Sequence, residues 1–310
     1  MDDDTDVRRR TGTAWFVLLG AAGGVAGLLP WLLTGPFLPL QNLGEGQDPA
    51  KVGPFVMLPY SQYAITTIIV LLVVGGVFAG IIARARRSCP GLARSFAALG
   101  GLVIVQVVAI VQTAATTRSV LQQRDESVLY LVLLTAVAVL AALTAWFACV
   151  LLAAAPRAGA GLGLVVGAAA GGSWIAAFLF PLFSYTSPFE GLLPVLPYLA
   201  PVLVGLAIVW TGVSTVGQVL TGIVGLVLVW LVPALTTAIS SAAGTRVLAR
   251  DLPGMAEFGT QVFVSASTMP EIIVPPLVTT VLVAVVGLVL RHVVGRRRMG
   301  KQRVKAAAPR

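Results

Sequence analysis

Apolar residues in this chain neither alternate along strands nor recur on a single helical face. They run in long stretches near 14–35, 64–83, 96–115, 128–155, 162–183, 198–216, 218–239 and 271–294, with polar residues gathered in short segments between them. A helix rises about 1.5 Å per residue, so about 20 apolar residues cross a hydrocarbon layer roughly 30 Å thick. Eight stretches of that length predict eight transmembrane helices. Helices are the spanning element because the ten-residue polar/apolar alternation of a membrane barrel is missing. The first stretch is longer than a signal-peptide core, and we read it as a retained helix.

The polar segments carry a second pattern. "GAAGG" at Gly20–Gly24 reappears as "GAAAGG" at Gly167–Gly172, and "LPY" at Leu58–Tyr60 reappears at Leu196–Tyr198. "GLVIV" at Gly101–Val105 is matched by "GLVLV" at Gly225–Val229, and "TRSVLQQRD" from Thr117 by "TRVLARD" from Thr245. Glu126 and Glu271 follow, each nine residues before a threonine, Thr135 and Thr280. Landmarks in a constant order predict two tandem four-helix units, 1–157 and 158–310. An even number of spans per unit leaves them parallel, related by a pseudo-twofold axis along the membrane normal. The second unit has an extra stretch near 252–270. Its Met255, Phe258, Val262 and Ser265 share a helical face, which predicts a short amphipathic helix at the outer membrane surface.

Charge orients the bundle. The net charge of +9 could suggest nucleic acid, but its distribution excludes that reading. With the N-terminus inside, 16 of the 21 basic residues fall on cytoplasmic segments, and only Lys51, Arg118, Arg124, Arg246 and Arg250 fall outside. That asymmetry predicts both termini in the cytoplasm, with the basic C-terminal tail lying against anionic lipid headgroups. The Ala/Gly/Val/Arg-rich, Lys-poor composition points to a high-GC bacterium and hence to its cytoplasmic membrane. Cys89 and Cys149 both fall toward the cytoplasmic side, so no disulfide is expected.

Candidate chemistry is sparse. His292 is the single histidine, and no Walker A loop, GxSxG elbow or metal-ligand spacing is present, so neither metal nor cofactor is expected. Glycines at 20/24, 23/27, 76/80 and 163/167/171 form small-xxx-small ridges suited to close helix packing. Gln106 and Gln112 are the strongest polar intrusions into a span, each placed for an interhelical hydrogen bond or a solute contact. Pro30, Pro181, Pro201, Pro233, Pro275 and Pro276 interrupt spans, mostly toward the outer half, where broken helices can shape a cavity. The repeated Arg118, Arg124 and Asp125, with Arg246, Arg250 and Asp251, suit helix ends, or an outer vestibule whose guanidinium groups recognise a phosphate or carboxylate.

These observations predict a permease-like, non-enzymatic membrane protein that binds or moves a small solute or lipid-linked substrate. Two other classes compete: a non-transporting anchor or scaffold for an envelope partner, and a membrane enzyme using Glu45 and Asp48 of the first outer loop. Thiols introduced at Gly46, Ser187 and Thr260 should react with an impermeant reagent added to intact cells. Those at Gly159 and Lys301 should react only after permeabilisation, and the opposite pattern rejects the orientation.

Overall fold

A computed structural model describes residues 2–41, 52–85, 91–179, 190–245 and 251–306. Among them are nine α-helices: α1 (Asp2–Thr34), α2 (Ile65–Ala85), α3 (Gly91–Val120), α4 (Asp125–Ala154), α5 (Arg157–Leu179), α6 (Leu199–Thr211), α7 (Val216–Gly244), α8 (Leu252–Thr268) and α9 (Pro270–Ala306). No strand is formed by the described residues, and eight helical segments are long and apolar enough to cross a membrane. This is an all-helical, multi-pass membrane protein by length and composition. The eight segments coincide with the eight apolar stretches of the sequence.

The sixth span departs from regular α-helix. Pro194, Pro197 and Pro201 remove three backbone donors, and the segment Glu190–Tyr198 is wound as a 3-10 helix before α6 begins. Past its end, Gly212 adopts φ +86°, a conformation open to glycine, and its N–H donates to the Ile208 carbonyl at 2.8 Å. The chain then turns into α7, where Thr215 and Gln218 form a reciprocal capping box.

One helix organises the first half. The apolar window of α2 is 67% buried, whereas that of α9 is only 11% buried. Helix α2 packs against α1, α3, α4 and α5. Glycines make those approaches possible. A Cβ on Gly27 would stand 2.5 Å from the backbone of Gly75 and from the Leu71 carbonyl oxygen. In lipid, helices gain no hydrophobic force from meeting one another, so backbone proximity and dispersion hold them together.

Within 1–157, the packed pairs are α1 with α2, α1 with α3, α2 with α3, α2 with α4 and α3 with α4. Within the second half, α5, α6, α7 and α9 pack in the same five pairings. Between the halves, the contacts run one way. Helix α5 packs on α2 and α4, but α1 makes no packing of comparable extent on α6 or α9. A twofold axis demands reciprocal contacts, so the halves as placed are not related by a simple twofold.

The 252–270 segment does form a helix, α8. It runs back along α7: Gly259 faces Ala242 and Ala238, while further on the Ser267 carbonyl accepts the indole N–H of Trp230 at 3.0 Å. Helices α7 and α8 are therefore an antiparallel hairpin.

Two glycines on different helices give a direct test of the packing. Gly27→Ala should lower the melting temperature of the purified protein by several degrees, because the added methyl has no room between α1 and α2. Gly100→Ala has nothing within 4 Å of its new Cβ and should leave the melting temperature unchanged or slightly raised.

Candidate functional site

The two glutamines of α3 have structural partners. Gln106 is buried; its amide donates to the Leu72 carbonyl at 2.8 Å and its oxygen accepts the Trp146 indole N–H at 2.8 Å, tying α3 to α2 and α4. Gln112 pairs with backbone instead. Its oxygen accepts from Met57 N at 3.0 Å and its nitrogen donates to the Phe55 carbonyl at 2.9 Å. The 52–61 segment is thereby strapped over the end of α3, with Leu58 N donating to Thr113 Oγ1 and an antiparallel bridge joining Phe55 to Phe37. Within this strap Tyr60 is fully buried beside Thr135, its phenol oxygen without a well-formed hydrogen bond. Burial pushes that phenol's pKa up, and the neighbouring hydroxyl offsets the shift only in part.

The arginine-aspartate repeats occupy helix ends. Arg118 lies in the last turn of α3, Arg124 is the N-cap of α4, and Asp125 stands in its first turn, all three exposed. Asp251 is the N-cap of α8, its side chain accepting from Gly254 N at 3.0 Å. Arg118 at a helix C-terminus and Asp125 and Asp251 at helix N-termini match the favourable placement of charge, whereas Arg124, a cation at the N-terminus of α4, does not. Arg246 and Arg250 lie outside the described residues, as do Glu45 and Asp48. Neither α3 nor α4 has an extended packing face with α7 or α8, so helix packing does not bring Asp251 to the Arg118–Asp125 segment.

At the opposite end of the bundle, three arginines that the sequence pattern left unremarked as a group gather around α6. The guanidinium groups of Arg84 and Arg157 each stand 5.6 Å from the Trp210 ring centroid. Arg157 Nη2 and Arg291 Nη1 donate to the last carbonyls of α6, at 2.6 Å to Trp210 and 2.7 Å to Val209. Arg84 donates to Leu152 and Ala155 at the end of α4. Carbonyls at a helix C-terminus have no helical donors, and these side chains supply them. No stronger reading of this cluster is required.

The feature with the capacity to hold a ligand lies at the other end, in the half of the bundle opposite Trp210. There, α2, α5, the 3-10 segment, α6, α7 and α9, with Thr144 of α4 and Ala266 of α8, line a partly open cavity of about 710 Å³. Its volume falls within the range of roughly 300–1,000 Å³ typical of small-molecule sites. The wall is mostly aliphatic: Ile69, Val70 and Val73 from α2, Val166, Ala169 and Ala170 from α5, and Ile272 and Ile273 from α9 contribute. Pro197, Pro201, Pro233 and Pro276 also line it. Three of these were already marked as span interruptions, and they keep the helices from closing. Polar wall groups are few: Thr66, Thr144, Ser173, Trp230 and Thr236. No charged side chain is among the described lining residues.

No family model matches the chain, and neither a characterised protein nor a solved structure is similar to it.

The roles assigned to Gln106 and Arg118 can be separated by stability. Gln106→Leu should destabilise the protein by about 0.6–1.7 kcal/mol, the range for hydrogen bonds between membrane helices. Arg118→Gln should change it by less than about 1 kcal/mol, since an exposed helix-end charge contributes no more. Thermal unfolding of the two purified variants beside the parent measures both.

Proposed function

We propose that the protein is permease-like and takes an amphipathic, lipid-linked substrate into the cavity between α2, α5, α6, α7 and α9. One observation carries this reading: about 710 Å³ of apolar space inside a membrane bundle, bounded by both halves of the chain. The apolar wall suits hydrocarbon better than a hydrated ion, whose desolvation no charged lining group would offset.

The reading also includes a tandem four-helix duplication in parallel orientation, with both termini in the cytoplasm. The five shared helix pairings support the duplication. So do particular residues: Gly101 packs on Val17 of α1, and its counterpart Gly225 packs on Val165 of α5 as well as on Val204 of α6. Thr135 lies beside Tyr60, while Thr280 donates to the Pro201 carbonyl, three residues beyond Tyr198. The gathering of Arg84, Arg157 and Arg291 at one end supports the charge-based orientation.

Lipid with a brominated chain, titrated into the purified protein in nanodiscs, should quench tryptophan fluorescence in a saturable way, because Trp230 lines the cavity. Ala170→Phe fills the space and should weaken that binding at least tenfold while leaving the helical circular dichroism unchanged. Quenching that never saturates, and that ignores the substitution, rejects the cavity as a binding site. A stoichiometric co-purifying partner, together with absent lipid binding, would instead favour the anchor.

A further inference from the structure

The prolines of this cavity do more than bend helices. A proline at position i supplies no N–H to the carbonyl at i−4. Pro201, Pro233 and Pro276 therefore leave the carbonyls of Pro197, Val229 and Ile272 without their ordinary helical donor, and all three of those residues line the cavity. Ile272 is the clearest case, because both following candidates, Pro275 and Pro276, lack an N–H. The polar side chains lean the same way. Thr144 donates to the Leu140 carbonyl at 2.9 Å, Thr236 to the Pro233 carbonyl at 3.0 Å, and Trp230 to the Ser267 carbonyl at 3.0 Å. Their donors are engaged within the protein, and the threonine oxygens keep lone pairs free. The hydroxyls of Thr66 and Ser173 can both donate and accept, so the wall offers several acceptors, two hydroxyl donors and, among its described residues, no charged group.

We propose that the cavity is selective for a neutral long-chain alcohol, a lipid whose polar head is a hydroxyl donor. This rests on the cavity being a binding site, as proposed above, and adds the chemistry of the head group. An anionic head, such as a phosphate ester, would meet carbonyl oxygens with no cation or spare N–H to receive it. An ammonium head would leave water without a carboxylate partner among the described lining residues. A hydroxyl donates one hydrogen bond, carries no charge, and satisfies a carbonyl that is otherwise expensive to keep in an apolar interior.

The test uses three probes with one brominated chain: the alcohol, its methyl ether, and its phosphate monoester. Each is titrated into the full-length protein in nanodiscs and read by tryptophan quenching. The alcohol should bind about three- to tenfold more tightly than the ether, and the phosphate ester should bind most weakly. Pro276→Ala restores an N–H facing the Ile272 carbonyl. It should bring the alcohol down toward the ether while leaving the ether unchanged. Pro233→Ala makes the same comparison at Val229 if the first variant does not fold, and the alcohol–ether contrast in the unaltered protein stands by itself. Equal binding of alcohol and ether, or tightest binding of the phosphate ester, overturns the head-group assignment while leaving the cavity as a site. Failure of all three probes to bind removes the cavity proposal and this one together.

Discussion

Every backbone N–H and C=O placed in hydrocarbon needs a partner from within the protein, because no water is there to supply one. The architecture follows from how that requirement is met where helices break. In the first half, side chains supply the partners. Gln112 hydrogen-bonds both polar groups of a passing backbone, at Met57 N and the Phe55 carbonyl, so an irregular segment can close over the end of α3. Gln41 donates to the Tyr60 carbonyl at 2.9 Å and accepts from the Tyr130 hydroxyl at 2.9 Å, completing the same cover. In the second half the breaks are prolines. The residues whose carbonyls lose a helical donor, Pro197, Val229 and Ile272, line the cavity. One solution covers the end of α3 and the other leaves carbonyls short of their regular donors.

Packing follows the same division. Gly20, Gly23 and Gly27 bring α1 onto α3 and α2, and Gly76 and Gly80 bring α2 onto α4. Bulk would be excluded at each of those contacts. Helix α5 is the joint: Gly163 meets α4, Gly167 meets Val77 of α2, and Gly172 meets Ala200 of α6. Trp174 adds a tether, its indole donating to the Gly27 carbonyl at 2.8 Å. The spans of the first half are on the whole the more buried, and the glycine-rich α5 fixes the second half to them.

What could be read from the residues alone follows from the same physics. Spans were legible because bilayer thickness fixes their length, and the interhelical role of Gln106 was legible because an amide in hydrocarbon needs partners. Prolines Pro201, Pro233 and Pro276 were legible as interruptions able to shape a cavity, but which helices would wall it was not. Which helices become neighbours depends on ridges and small residues matched between distant segments. The same limit hid the Trp210 cluster, since Arg84, Arg157 and Arg291 are brought together only by folding. It also hid the course of α8: amphipathicity marks a helix with one apolar face, and here the partner of Gly259 is α7.

The one-sided joint between the halves explains why they can differ in kind. Were the interface a true twofold, any loosening around α6 and α9 would need a matching contact from α1, and the two halves would constrain each other equally. Instead α5 carries most of the contact with α2 and α4, with a smaller one from α7 to α2, and α9 keeps most of its surface outside the bundle. Substitutions that open the second half then leave the glycine contacts of the first untouched. Proline can accumulate around α6, α7 and α9 without unseating α1 from α2. The cavity sits on the side of the joint where the helices are less buried and the prolines are concentrated.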